Sequence, residues 1–235
     1  MRIGILETGE VNPALVGAHG TYPAMFERLL GGQGFEFRTW SVVRGEMPDA
    51  PSDADGWLIT GSRHGVYEDH PWIKPLEGFI RAARDAQVPM AGICFGHQIM
   101  AQALGGDVAK SGRGWGIGRH EYMSGVSSVA ILAFHQDQVL RLPDGAEVTL
   151  SSEFCPFAGL RYGDWGLSWQ AHPEFSADYC RDLLELRAGV AFSEELAAQA
   201  LPHVAAPIDS PAVADQIAAF FKAAAKAPKA RHAAV

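Results

Sequence analysis

Cysteine is scarce in this chain. Its three cysteines, Cys94, Cys155 and Cys180, are an odd number at spacings that make no disulfide framework. Such usage points to a reducing compartment. Long apolar runs are missing, so no segment has the length to span a bilayer. The chain opens directly on the strand-like MRIGILE, without the pattern of a signal peptide. The expectation is a cytoplasmic protein with no membrane contact. Basic residues are outnumbered, 19 Lys and Arg against 27 Asp and Glu, for a net charge of −8. No basic stripe interleaved with aromatics occurs, which argues against nucleic acid as a partner. Internal repeats and P-loop or Rossmann signatures are also lacking. The segment Gly114-Trp115-Gly116-Ile117-Gly118 neither follows a strand nor opens a helix, so it is a poor phosphate loop. His64, His70, His97, His120, His172 and Cys94 form neither an H-E-x-x-H nor a paired Cys/His pattern. No metal site and no cofactor are expected.

What is present is ordinary core-forming material. Apolar residues make up 48% and charged residues 20% of 235 residues, which suits one α/β domain over 1–235. Strand-like segments are read at 2–7, 35–43, 57–60 and 90–93. Helical spacing appears at 22–30, at 71–86 with Pro71 in the first turn, and at 95–104. The stretch 8–20 reads as a long glycine-bearing loop. This β-α-β rhythm predicts a parallel sheet with helices on both faces. From Asp107 onward the rhythm changes to short segments at 116–123, 127–134, 147–150, 157–162 and 167–171. They read as antiparallel strands. Beyond Phe175 the pattern is helical, at 179–188, 193–201 and 213–225, so that about 190–235 forms a helical C-terminal extension. The last ten residues, KAPKARHAAV, read as a frayed basic tail.

Two stretches carry chemistry. In VPMAGICFGHQ, a short apolar run leads straight into Cys94, and Phe95-Gly96-His97-Gln98 opens the following helix. Cys94 therefore sits at a strand-to-helix turn, where a nucleophile elbow exposes its reactive atom. The helix N-terminus favours a thiolate there. A lone cysteine is more often a buried structural residue, but the turn and its flanking glycines favour the nucleophile. In GLSWQAHPEF, Pro173 ends a strand, and His172 and Glu174 lean the same way from an extended backbone. A carboxylate beside an imidazole fixes its tautomer and supports its positive charge. A nucleophilic cysteine needs such a base.

Gly92-Ile93-Cys94-Phe95-Gly96-His97-Gln98, together with Gln170-Ala171-His172-Pro173-Glu174, resembles the class I (triad) glutamine amidotransferase family over roughly residues 1–190. The resemblance implies a Cys94–His172–Glu174 triad. It also implies an α/β, flavodoxin-like fold: an open, mostly parallel sheet with helices on both faces and an antiparallel extension. The reaction implied is attack on the γ-carbonyl of a glutamyl group. An oxyanion would be held by the N–H of Phe95 and by the loop at Gly61 and Ser62, each donor being worth about 3–4 kcal/mol of barrier. The family usually carries Gly-Gly-Pro in that loop. Here Gly61-Ser62-Arg63-His64 stands instead. Gln98 falls where the family holds the substrate's glutamyl group, and His135 lies in a segment resembling its His-x-Asp-x-Val. Arg63 is read as a carboxylate clamp at the pocket mouth, against a solvated loop charge.

Three functional readings stay open. The favoured one is a stand-alone hydrolase of γ-glutamyl amides or peptides, similar to the stand-alone GMP-synthetase-like branch, with a small-molecule substrate. The second is an amidotransferase subunit that feeds ammonia to a separate synthase partner. The third is a redox-sensing or binding protein on the same fold. The sequence leaves the oligomeric state open.

Overall fold

The computed structural model describes residues 1–226. The chain runs β1 (Arg2–Leu6), α1 (Pro13–His19), α2 (Tyr22–Leu29), β2 (Glu36–Trp40), β3 (Gly56–Ile59), α3 (Ile73–Asp85), β4 (Met90–Ile93) and α4 (Phe95–Ala103). It continues through β5 (Asp107–Lys110), β6 (Gly116–Ser124), β7 (Ser127–His135), β8 (Asp137–Arg141), β9 (Ala146–Leu150), β10 (Gly159–Tyr162) and β11 (Gly166–Trp169). Three helices follow: α5 (Ala177–Arg187), α6 (Glu194–Ala200) and α7 (Ser210–Lys226). Past Lys226, the expected basic tail lies outside the described residues. Among those residues no helix is long and apolar enough to cross a membrane.

Seven strands form one sheet in the order β2-β1-β3-β4-β11-β10-β9. The first five are parallel, with Ile5 opposite Leu58, Leu58 opposite Ala91 and Ala91 opposite Leu167. This is the flavodoxin-like order, in which ligands bind beyond the carboxyl ends of the strands. β10 pairs antiparallel with both β11 and β9, which gives the expected antiparallel extension. Two further ladders, β5 with β8 and β6 with β7, stand outside the sheet.

Alternation divides the core. Trp57 and Ile59 face one layer, with Leu76 and Ile80 of α3 and Ile99 of α4. Leu58 faces the other, with Phe26 of α2 and Ile217 and Phe221 of α7. β3 and β4 are buried at every position, as strands covered on both faces must be.

The structure corrects the sequence reading in four places. The stretch 8–20 is not all loop: α1 forms within it, with Asn12 accepting the Ala14 N–H at 3.0 Å and Pro13 in its first turn. Pro71 precedes α3 rather than opening it, and Trp72 occupies the cap. The second strand ends at Trp40, because residues 42–44 wind into a 3₁₀ turn. The strand before His172 is parallel to β4 rather than antiparallel, so β11 is the fifth parallel member of the sheet.

The packing of α4 on the sheet depends on two missing side chains. A Cβ on Gly92 would stand 2.5 Å from the Gly96 carbonyl oxygen, and one on Gly96 would stand 2.4 Å from the Ile59 carbonyl oxygen. Backbone cannot yield as a flexible side chain can. Gly96→Ala should therefore destabilise the fold by about 1–3 kcal/mol. Urea unfolding should show a lowered midpoint with an unchanged slope; an unmoved midpoint would mean that the helix does not need this approach.

Candidate active site

β4 delivers Cys94 at its carboxyl end. The residue has φ 53° and ψ −101°. A side chain held in such a sparsely populated region costs about 1–3 kcal/mol. Its surroundings fix it: the Cys94 N–H donates to the Trp169 carbonyl at 2.8 Å, and its own carbonyl accepts the Gln98 N–H at 3.0 Å. Phe95 follows as the first residue of α4. Its N–H has no acceptor one turn earlier in the helix.

The end of β11 delivers His172. The His172 N–H donates to the Leu132 carbonyl at 2.7 Å, which ties the residue to β7. Its Nδ1 stands 2.7 Å from Glu174 Oε1, both residues being buried. The ring of Phe175 stacks on the imidazole, with centroids 3.9 Å apart and planes at 13°. Tyr22 stacks in turn beyond Phe175, and the Tyr179 hydroxyl donates to the Tyr22 hydroxyl at 3.3 Å. Cys94 lies on the same side of the Gly61 loop as the imidazole, close enough for its charge to act on His172. Burial alone would push the imidazolium down, but the charges of Glu174 and Cys94 outweigh it and hold His172 well above the ordinary imidazole range. Burial instead pushes Cys155 and Cys180 up to about 12, so both stay thiols near neutral pH.

Gly61 closes the site from β3. A Cβ there would lie 2.9 Å from His172 Cε1 and 3.7 Å from Cys94 Cβ. Glycine is what allows the loop to approach both groups. Among the described residues, the N–H groups of Gly61 and Ser62 have no partner. Two buried threonines pin this loop. Thr8 N–H donates to Thr60 Oγ1 at 3.0 Å, Thr8 Oγ1 donates to the Thr60 carbonyl at 2.9 Å, and Thr60 Oγ1 donates to the Gly61 carbonyl at 3.1 Å. Thr60 follows a predicted strand, as Cys94 and His172 do, and is expected to converge with them, whereas the sequence does not point to Thr8. The available signal was a Thr-Gly pair following each of two parallel strands, Thr8-Gly9 and Thr60-Gly61.

The remaining candidates divide. Gln98 is buried, and its Nε2 donates to the Asp137 carbonyl at 2.9 Å and to Gln170 Oε1 at 3.1 Å. His135 is buried at the end of β7, with Nδ1 3.1 Å from that same Asp137 carbonyl. Burial lowers its pKa to about 3, which leaves the ring neutral. Arg63 is exposed and makes no ion pair among the described residues. A cavity of about 660 Å³ lies behind Glu174, lined also by His19, Arg28, Phe175 and Tyr179. The larger cavity, about 1260 Å³, lies at the opposite ends of the strands against Asp55, Pro89, Trp165 and Phe220, so size alone would misplace the site.

A model of the class-I glutamine amidotransferase family matches residues 38–182. The chain belongs to that family. A glutamine amidotransferase-like protein of Schizosaccharomyces pombe is 29% identical, over 93% of this chain and 97% of that one. γ-Glutamyl peptidase 4 of Arabidopsis thaliana is 31% identical, over 71% of this chain and 73% of that one. The crystal structure of a Thermotoga maritima glutamine amidotransferase superposes with a TM-score of 0.76, over 96% of this chain and 98% of that one, at 19% identity. That last likeness speaks to the fold.

The charge balance at His172 is open to direct measurement. NMR of the imidazole should find it still protonated at pH 7.5. Glu174→Gln removes one of the two groups that raise its pKa and should move deprotonation to lower pH. An unshifted titration in that variant would show that Glu174 does not hold the charge.

Proposed function

We propose that this class-I amidotransferase is a stand-alone cysteine hydrolase of γ-glutamyl amides, with Cys94, His172 and Glu174 as its triad. The observation that carries the reading is the pairing of His172 with Glu174 at 2.7 Å, with His172 and Cys94 both set against Gly61 at the ends of the parallel strands. The relative named γ-glutamyl peptidase 4, at 31% identity over 71% of this chain, supports a γ-glutamyl peptide or amine as substrate.

The chemistry follows from those positions. The Cys94 sulfur attacks the γ-carbonyl, its proton held by His172 as half of an ion pair. The carbonyl oxygen becomes an oxyanion, which the N–H of Phe95 and those of Gly61 and Ser62 stabilise. His172 gives its proton to the departing amine, and the C–N bond breaks. A γ-glutamyl thioester remains on Cys94. Water, deprotonated by His172, cleaves it and frees glutamate. Glu174 keeps the imidazole oriented throughout. Gln98 and His135 meet at the Asp137 carbonyl and so set the backbone against which the glutamyl group lies. Arg63, exposed on the loop after the oxyanion glycine, meets the distal carboxylate of a γ-glutamyl peptide. Three free cysteines fit a reducing, cytoplasmic setting.

Glutamate release should be measured over glutamine, γ-glutamyl peptides and γ-glutamyl amines. Rapid turnover of one peptide or amine is expected. Cys94→Ala should lower it about a thousandfold or more with an unchanged circular dichroism spectrum, whereas wild-type-like release from that variant would remove Cys94 from the mechanism. Slow glutamine hydrolysis alone would instead indicate an amidotransferase subunit that waits for a synthase. Arg63→Ala should raise KM for γ-glutamyl peptides more than for glutamine; an unchanged preference would take Arg63 out of substrate binding.

A further inference from the structure

The loop between Gly61 and α3 holds a second cluster, which the proposed hydrolysis does not use. Glu68 lies at its centre. The carboxylate is oriented by the Gly65 N–H, which donates to Oε1 at 3.0 Å. That leaves Oε2 facing two imidazoles: His64 Nδ1 at 3.3 Å and His70 Nε2 at 2.8 Å. All three donor atoms lie within 4.8 Å of one another.

The rings are held in place before any ligand arrives. His70 lies flat on Trp72, with centroids 5.7 Å apart and planes at 9°. His64 packs edge-on against His70 at 4.2 Å. The His64 N–H donates to Ser62 Oγ at 3.2 Å, and the Tyr67 hydroxyl donates to Asp137 Oδ2 at 2.9 Å, fastening the loop across to β8. The side chains of His64, His70 and Glu68 are 19%, 31% and 42% exposed, so a cation can enter and water can complete its shell.

We propose that His64, Glu68 and His70 form a binding site for a first-row divalent transition cation, Zn²⁺ being the best match. Two imidazole nitrogens and one carboxylate oxygen are a donor set that suits zinc, with bonds of about 2.0–2.2 Å. Two tetrahedral ligands at that bond length stand roughly 3.3–3.4 Å apart. The 3.3 Å separation at Glu68 already matches, the 2.8 Å one must open by about half an ångström, and the two imidazole nitrogens, within 4.8 Å of each other, must settle to the same spacing. The fourth position opens to solvent. The sequence gives no warning, because spacings of four and two residues match no zinc motif and an irregular turn brings the three together.

The site adjoins the oxyanion wall. Trp72, under His70, also packs on Phe95 at 5.4 Å, and Gly61 is three residues before His64. A bound cation would tie the loop into one body with that wall.

The test uses the full chain without an affinity tag, stripped with a chelator, and Co²⁺ as a spectroscopic stand-in for Zn²⁺. One Co²⁺ should bind per chain, giving visible d–d bands without a thiolate charge-transfer band. His70→Ala and Glu68→Gln should each weaken binding at least tenfold, while Cys94→Ala should leave it intact. Zn²⁺ should raise the melting temperature of the wild type and not that of His70→Ala. Binding that survives in His70→Ala and disappears in Cys94→Ala would place the cation at the triad and overturn the proposal. Absence of saturable Co²⁺ binding in the folded wild-type chain would overturn it too. Neither readout depends on hydrolysis, so failure here is separable from failure of the hydrolase reading.

Discussion

The close approach of α4 to the two central strands is the constraint on which the site depends. Gly92 and Gly96 remove the atoms that would hold the helix away, since a Cβ on either would meet backbone within 2.5 Å. That approach forces the intervening turn to be sharp. Cys94 absorbs the sharpness as a positive φ, and α4 begins with the next residue, Phe95. Local strain at Cys94 is sustained by burial on both sides of the turn, with Ile93 and Phe95 wholly inaccessible.

A second constraint holds the charge. His172 is placed by its backbone through Leu132 and by its ring through Glu174 and Phe175. Taking an imidazolium and a carboxylate out of water is costly unless each finds its partner. Here Glu174 Oε1 supplies that compensation to the imidazole at 2.7 Å, while its Oε2 is buried without a hydrogen-bond partner among the described residues. The aromatic layer of Phe175, Tyr22 and Tyr179 keeps water away from one face of the pair, which strengthens the attraction between them.

Much of this was legible in the sequence, and the parts that were not share a cause. Cys94 at its turn, the His172–Glu174 pair, the parallel rhythm and the helices on both faces follow from local pattern and period. Non-local facts do not. The direction of β11 depends on which strand it meets, and nothing within Gly166–Trp169 encodes that. β5 and β8 pair only with each other, and their exposed ends give little alternation to read. α1 was hidden by Gly17 and Gly20, although Asn12 and Pro13 are sound start signals. Thr8 and Thr60 lie 52 residues apart, so their mutual hydrogen bonds appear only once β1 and β3 lie side by side. Irregular turns hid the His64, Glu68 and His70 cluster in the same way.

The groups of the candidate site come from four strand ends: Thr8 after β1, Gly61 after β3, Cys94 after β4 and His172 after β11. These positions are spread over most of the described chain, so the ring-closing contacts among them are long-range in sequence. Closing loops of that length costs more entropy than local contacts do. With β1 to β4 in place and β11 outside the sheet, Cys94 would stand without His172. The candidate site is thus complete only when the fifth parallel strand lies in the sheet, which makes it a property of the whole parallel region rather than of any one segment.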